Sequence, residues 1–205
     1  MRSSSSCQDI KEAKLSENER ISIEKELAFH GAPTLLGVKC ASLISFDTGE
    51  ETIAEYLRNI RGKLSGSGLC AVQMCKCRKR TLVYIYNRRM LAAWLKMPEV
   101  ADFLAEYGYS PDMSTETMLW QLAGRISCGS FPHEIGAFLG YPVGDIRGFI
   151  SNSGRNCLLC GYWKVYGNEE AARRTFAEFD RCRELLSARV NSGADLFRAV
   201  NSKHY

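Results

Sequence analysis

The chain has 205 residues, enough to bury a proper core, and one domain with a tail is its simplest organisation. With 45% hydrophobic and 24% charged residues it has the composition of a globular protein. A formal net charge of +4 is too small to demand a nucleic acid or anionic lipid, and no apolar run approaches the roughly 18 residues that span a bilayer.

Residues 1–16 form a Ser-rich, charged tail without an apolar period, expected to be disordered. Met1 to Lys14 lacks the apolar core of a secretory signal, so the chain reads as cytoplasmic. Glu17 to His30 spaces Ile21, Ile23, Leu27 and Ala28 as a short amphipathic helix, which Gly31-Ala32-Pro33 ends. Thr34 to Phe46 is mostly apolar and finishes in an alternating run, Ala41 to Phe46, predicted as a strand.

After a turn at Asp47-Thr48-Gly49, Glu51 to Leu64 presents Ile53, Leu57, Ile60 and Leu64 on one helical face. Leu69 to Met74 and Thr81 to Tyr86 predict a β-hairpin across the polar stretch Cys75 to Arg80. Asn87 and Ser114 suit the caps of helices at 88–96 and 115–127, with another at 99–107 after Pro98. Short helices follow at 132–139 and 143–151, then a strand from Leu158 to Tyr166, a long helix over 169–186 and a last one over 194–200. This order neither alternates strand with helix nor repeats. It predicts an α+β fold over residues 17–205, with a small, mostly antiparallel sheet covered by several helices.

Several motifs have the look of a known family. His30-Gly31-Ala32-Pro33-Thr34-Leu35, with Gly37 and Lys39 after it, is one; His133-Glu134-Ile135-Gly136 and Leu139-Gly140-Tyr141-Pro142 are others, as is Gly161 to Gly167, GYWKVYG. Together they resemble an uncharacterised bacterial family, domain of unknown function 3793, found largely in anaerobic Firmicutes. The resemblance covers nearly all of the chain after the tail. It implies a cytoplasmic protein of an anaerobe and brings no activity, cofactor or catalytic residue with it.

The chemistry therefore rests on the residues, and Phe131 to Gly167 holds most of the unusual ones. The nine cysteines, in a chain without a secretory signal, read as thiols rather than structural disulfides. Cys157-x-x-Cys160 has the spacing of a redox pair or half a zinc site, and Cys75-x-Cys77 sits in a basic setting that favours thiolate. The plainer reading is unligated thiols, since Cys157 and Cys160 would project to opposite faces of a regular strand. Both readings stay open.

His133 could act as a base or a ligand, with Glu134 beside it, or the pair could simply begin a helix after Pro132. No second histidine follows at zincin spacing. On a single strand, Tyr162, Lys164 and Tyr166 would share one face and form a ligand or anion platform. Glu134 to Ile150 has a helix-turn-helix layout, but its second helix offers two glycines, an acid and one arginine, which argues against nucleic acid. The basic stretch Arg78 to Arg80 reads as a solvated hairpin tip.

No Ser-His-Asp order, paired-carboxylate motif or phosphate loop appears, so nothing positive marks an enzyme. The expected function is a binding or accessory protein for an unidentified small molecule or protein partner, without contact to membrane and with no identifiable cofactor. Its ligand-binding candidates are His30, His133, Glu134, Tyr162, Lys164 and Tyr166. A metal- or thiol-dependent enzyme using Cys157 and Cys160 is the first alternative, and a helix-turn-helix regulator the second.

Overall fold

The computed structural model describes residues 15–77, 80–126 and 132–202, without the side chains of 75–77. Its centre is a three-stranded antiparallel sheet of β1 (Ala41–Phe46), β2 (Leu69–Cys77) and β3 (Arg80–Asn87), ordered β1-β3-β2. Side chains alternate along a strand, and here both parities are apolar. Leu82, Tyr84 and Tyr86 of β3 enter one core, while Val83 and Ile85 enter the other. Both faces must therefore be covered.

Among the described residues, the cover is made by α1 (Glu17–His30), α2 (Ala32–Leu35), α3 (Glu50–Gly66), α4 (Arg88–Leu95), α5 (Pro98–Ala105), α6 (Thr115–Arg125), α7 (Ile135–Phe138), α8 (Val143–Ser151), α9 (Glu169–Asn191) and α10 (Leu196–Asn201). The face with Val83 and Ile85 takes α1, α2, α3, α10 and the C-terminal half of α9. The opposite face takes α4 to α8. The fold is α+β, with the small sheet between two helical layers. No helix among the described residues is long and apolar enough to cross a membrane.

Local chemistry explains where the longest elements begin. Ser16 and Glu19 close a reciprocal capping box on α1, with Ser16 N–H donating to Glu19 Oε2 at 2.9 Å. Asn168 accepts the Ala171 N–H at 3.0 Å and starts α9, where Glu169 pairs with Arg173 and Glu170 with Arg174 one turn on. Ala172, Phe176, Phe179, Cys182, Leu186 and Val190 then form its buried stripe. That stripe carries α9 five residues past the end predicted from sequence.

Two expectations need correction. The single strand over Leu158 to Tyr166 is instead a tight hairpin of β4 (Leu159–Cys160) and β5 (Lys164–Val165), with Gly161, Tyr162 and Trp163 at its turn. A Cβ on Gly161 would overlap the Phe176 ring, so the turn lies flat against α9 and a straight strand could not. The helix expected over 132–139 shrinks to α7. His133 and Glu134 lie in the turn before it, and Glu134 makes no side-chain cap. The expected tail lies outside the described residues except for Leu15 and Ser16.

Candidate functional site

A buried carboxylate ties α8 to the small hairpin. Asp145, in the first turn of α8, accepts the backbone N–H of Tyr166 at 2.7 Å and of Gly167 at 2.9 Å through Oδ1. Its Oδ2 accepts the Trp163 indole N–H at 2.7 Å. Three donors and the positive end of the helix offset the desolvation of the charge. One turn further, Gly148 lets the hairpin close in, since a Cβ there would come 2.5 Å from the Tyr166 side chain.

Trp163 is then fixed from three sides. Its ring stacks on Tyr141 with centroids 5.1 Å apart and meets Phe176 edge-on at 4.5 Å, while its N–H is held by Asp145. The Tyr141 hydroxyl donates to the Tyr162 carbonyl at 3.1 Å. Burial pushes that phenol up to about 12, so it stays protonated at neutral pH.

Between α7, α8 and the hairpin lies a cavity of about 500 Å³. Pro132, Ile135, Ile146, Phe149 and Trp163 supply its apolar wall, and His133, Cys160 and Lys164 add polar groups beside Tyr141 and Asp145, whose two carboxylate oxygens already accept from the hairpin. Lys164 Nζ donates to the Gly154 carbonyl at 2.7 Å and stands 5.8 Å over the Phe149 ring. The exposed His133 meets that same ring edge-on, with centroids 5.9 Å apart. A volume of this size suits a small organic molecule.

The structure thus brings His133, Cys160 and Lys164 to one cavity and leaves the other candidates elsewhere. Glu134 is 2% exposed and pairs with Arg125 Nη1 at 2.7 Å. Arg125 also donates to the Tyr107 carbonyl at 2.6 Å, so Glu134 clamps the end of α6. Tyr162 turns toward α9, where its hydroxyl donates to Asp180 Oδ1 at 2.8 Å and its ring meets Phe179 edge-on. Tyr166 lies against Gly148, its hydroxyl buried without a partner among the described residues. No Tyr-Lys-Tyr platform exists, because the turn at Gly161 breaks the alternation it required.

His30 sits exposed at the end of α1, 3.3 Å from Glu26, and does not line this cavity. Cys157 is half-buried and Cys160 exposed, both as free thiols, and only Cys160 lines the cavity. The Tyr166 phenol is pushed up by burial first and then by the charges of Cys157 and Cys160. The side chains of Cys75 and Cys77 lie outside the described residues, though their backbone belongs to β2. Among the described residues, no three His, Cys, Asp or Glu side chains gather as a metal site.

The helix-turn-helix pattern resolves into packing. α7 has four residues, and Asp145 and Gly148 of α8 face Tyr166 rather than solvent. Arg147, the one cation in α8, is engaged by Glu106. Asp145, Tyr141 and Trp163 were not singled out as site residues. Asp145 is an acid out of place in a presumed recognition helix, and Tyr141 and Trp163 lie in the Leu139-Gly140-Tyr141-Pro142 and Gly161 to Gly167 motifs.

Residues 27–199 match the family model described as Protein of unknown function (DUF3793), and the chain belongs to that family. No curated protein and no solved structure matches it.

Proposed function

We propose that this DUF3793 protein binds a small molecule between α7, α8 and the β4–β5 hairpin, and that the ligand has an apolar body and an anionic end. The observation that carries this reading is the cavity of about 500 Å³, apolar on most sides and bearing an anchored ammonium, Lys164. An ammonium has three donors. One goes to Gly154, which fixes the side chain and leaves two for a ligand oxygen. Phe149 and Trp163 offer flat faces to an apolar or aromatic body, and His133 a second polar contact. Cys160 at the same cavity supports a thiol-active variant of this reading, in which the bound molecule is captured by sulfur.

Titration with 1-anilinonaphthalene-8-sulfonate tests the reading, because that probe joins an aromatic body to an anion. Saturable one-site binding to the folded protein is expected, weakened roughly tenfold in Lys164→Met by the loss of one charge-assisted contact. Iodoacetamide labelling of Cys160 should slow when the probe is bound. Absence of saturable binding, or equal affinity in Lys164→Met, would overturn the assignment.

A further inference from the structure

A second cavity, of about 630 Å³, lies between the turn after α2, helix α4 and helix α9, where Lys39, Cys40, Trp94, Thr175, Glu178 and Phe179 contribute to its wall. Backbone geometry places Lys39 there. The Pro33 carbonyl accepts the N–H of Val38 at 2.8 Å and of Lys39 at 2.9 Å, closing the turn that leads into β1. Lys39 Nζ stands 5.2 Å from the centre of the Tyr141 ring and 5.9 Å from that of Phe179. No carboxylate lies within 4.0 Å of it among the described residues.

The neighbours do not supply a counter-charge. Burial pushes the Cys40 thiol up, so it is uncharged at neutral pH. The Thr175 hydroxyl donates to the Ala171 carbonyl, and that of Tyr141 to Tyr162. Glu178 is exposed at the edge of the cavity. Lys39 is half-buried, and desolvation is the largest influence on it, drawing its ammonium down to about 8. At pH 7 such a group is about one-tenth neutral amine, against less than about one part in a thousand for an ordinary lysine.

From the cavity and the amine without a counter-ion, we propose that Lys39 condenses with a small, mostly apolar aldehyde or ketone to form an imine. The amine lone pair forms a C–N bond to the carbonyl carbon, and the carbonyl oxygen takes up a proton. That oxygen then leaves as water while the nitrogen gives up its second proton, which leaves a C=N bond. No oxidant or reductant enters.

The test uses butanal with sodium cyanoborohydride on the whole protein at pH 7, which reduces any imine to a stable secondary amine, read by peptide mass spectrometry. Lys39 should be alkylated roughly tenfold faster than the exposed Lys25 and Lys96, with the lead narrowing between pH 7 and 9 as the exposed amines begin to lose their protons. Its rate should also saturate with butanal, while theirs stays linear. Reaction at Lys39 no faster than at the exposed lysines would overturn the nucleophile, and an unsaturable rate would overturn the carbonyl site. Neither failure touches the first cavity, which Lys39 does not line.

Discussion

Lys164 and Lys39 line two separate cavities, with the Tyr141 ring in the wall of the first and 5.2 Å from Lys39 Nζ, and their surroundings differ in one respect. Lys164 has an acceptor in the Gly154 carbonyl, so its charge is fixed in the wall as a partner for an anion. Lys39 stands over the faces of Tyr141 and Phe179 with no carboxylate within 4.0 Å among the described residues, and desolvation draws down its affinity for the proton. An apolar wall with an acceptor stores a cation. The same wall without one favours a neutral amine. The two side chains are alike, and the backbone around them decides what each can do.

The sharpest way to break this comparison is to remove the anchor of the first cavity alone. Asp145→Ala leaves the N–H groups of Tyr166, Gly167 and Trp163 without an acceptor. A loss of about 3–4 kcal/mol is expected, because hydrogen bonds to a charged group are among the stronger ones. Thermal unfolding should drop by roughly 6–16 °C for a chain of this size. Anilinonaphthalene sulfonate binding should go with it, while Lys39 keeps its selective alkylation. A drop of only a degree or two would assign the hairpin's anchorage to the Tyr141–Trp163–Phe176 stack instead.

A smaller effect, of opposite sign, should follow at the second cavity. Lys39→Met keeps the apolar stem and removes a cation without a counter-ion, so the variant should be more stable at pH 7 by about 1–2 kcal/mol. The sign follows from the lowered pKa of folded Lys39. Between about 8 and the ordinary lysine value near 10.5 the unfolded chain holds the extra proton, so wild-type stability rises with pH there. The advantage of the variant should therefore shrink between pH 7 and 10. Buried Cys40 and Cys182 have raised thiol pKa values and act oppositely; Lys39 lowers the Cys40 thiol, so its loss raises that thiol further and shrinks the variant's advantage in the same direction. Urea unfolding at the two pH values reads the difference; a variant no more stable at pH 7 would mean that the two rings satisfy the ammonium.

The smallest effect belongs to His30. It makes an exposed contact with Glu26 one turn away, so His30→Ala should change stability by less than about 0.5 kcal/mol. Probe binding and Lys39 alkylation should both stay as they are. A change in either would bring the end of α1 into one of the sites.

What could be read from the sequence had local causes. The caps at Asn87 and Ser114 sit next to the helices they start, and the alternation in β1 and β3 is written within a few residues. His133, Cys160 and Lys164 stand out by residue type alone. Asp145 does not, because the donors that explain it lie 18 to 22 residues further along. Lys39 is harder still: it looks like an ordinary lysine, and only the rings of Tyr141 and Phe179, far along the chain, isolate it. The presumed platform of Tyr162, Lys164 and Tyr166 failed for a related reason. Whether Gly161 continues a strand or turns flat depends on Phe176, which no alternation pattern contains.

Tyr141 has a consequence beyond packing. Its ring lines the first cavity, stacks on Trp163 and carries the Lys39 amine on its face. The ring is thus a shared element through which the occupancy of one site can be linked to the protonation of the other. A ligand in the first cavity that shifts this ring alters the proton affinity of Lys39, and deprotonating Lys39 alters that ligand's affinity by the same free energy.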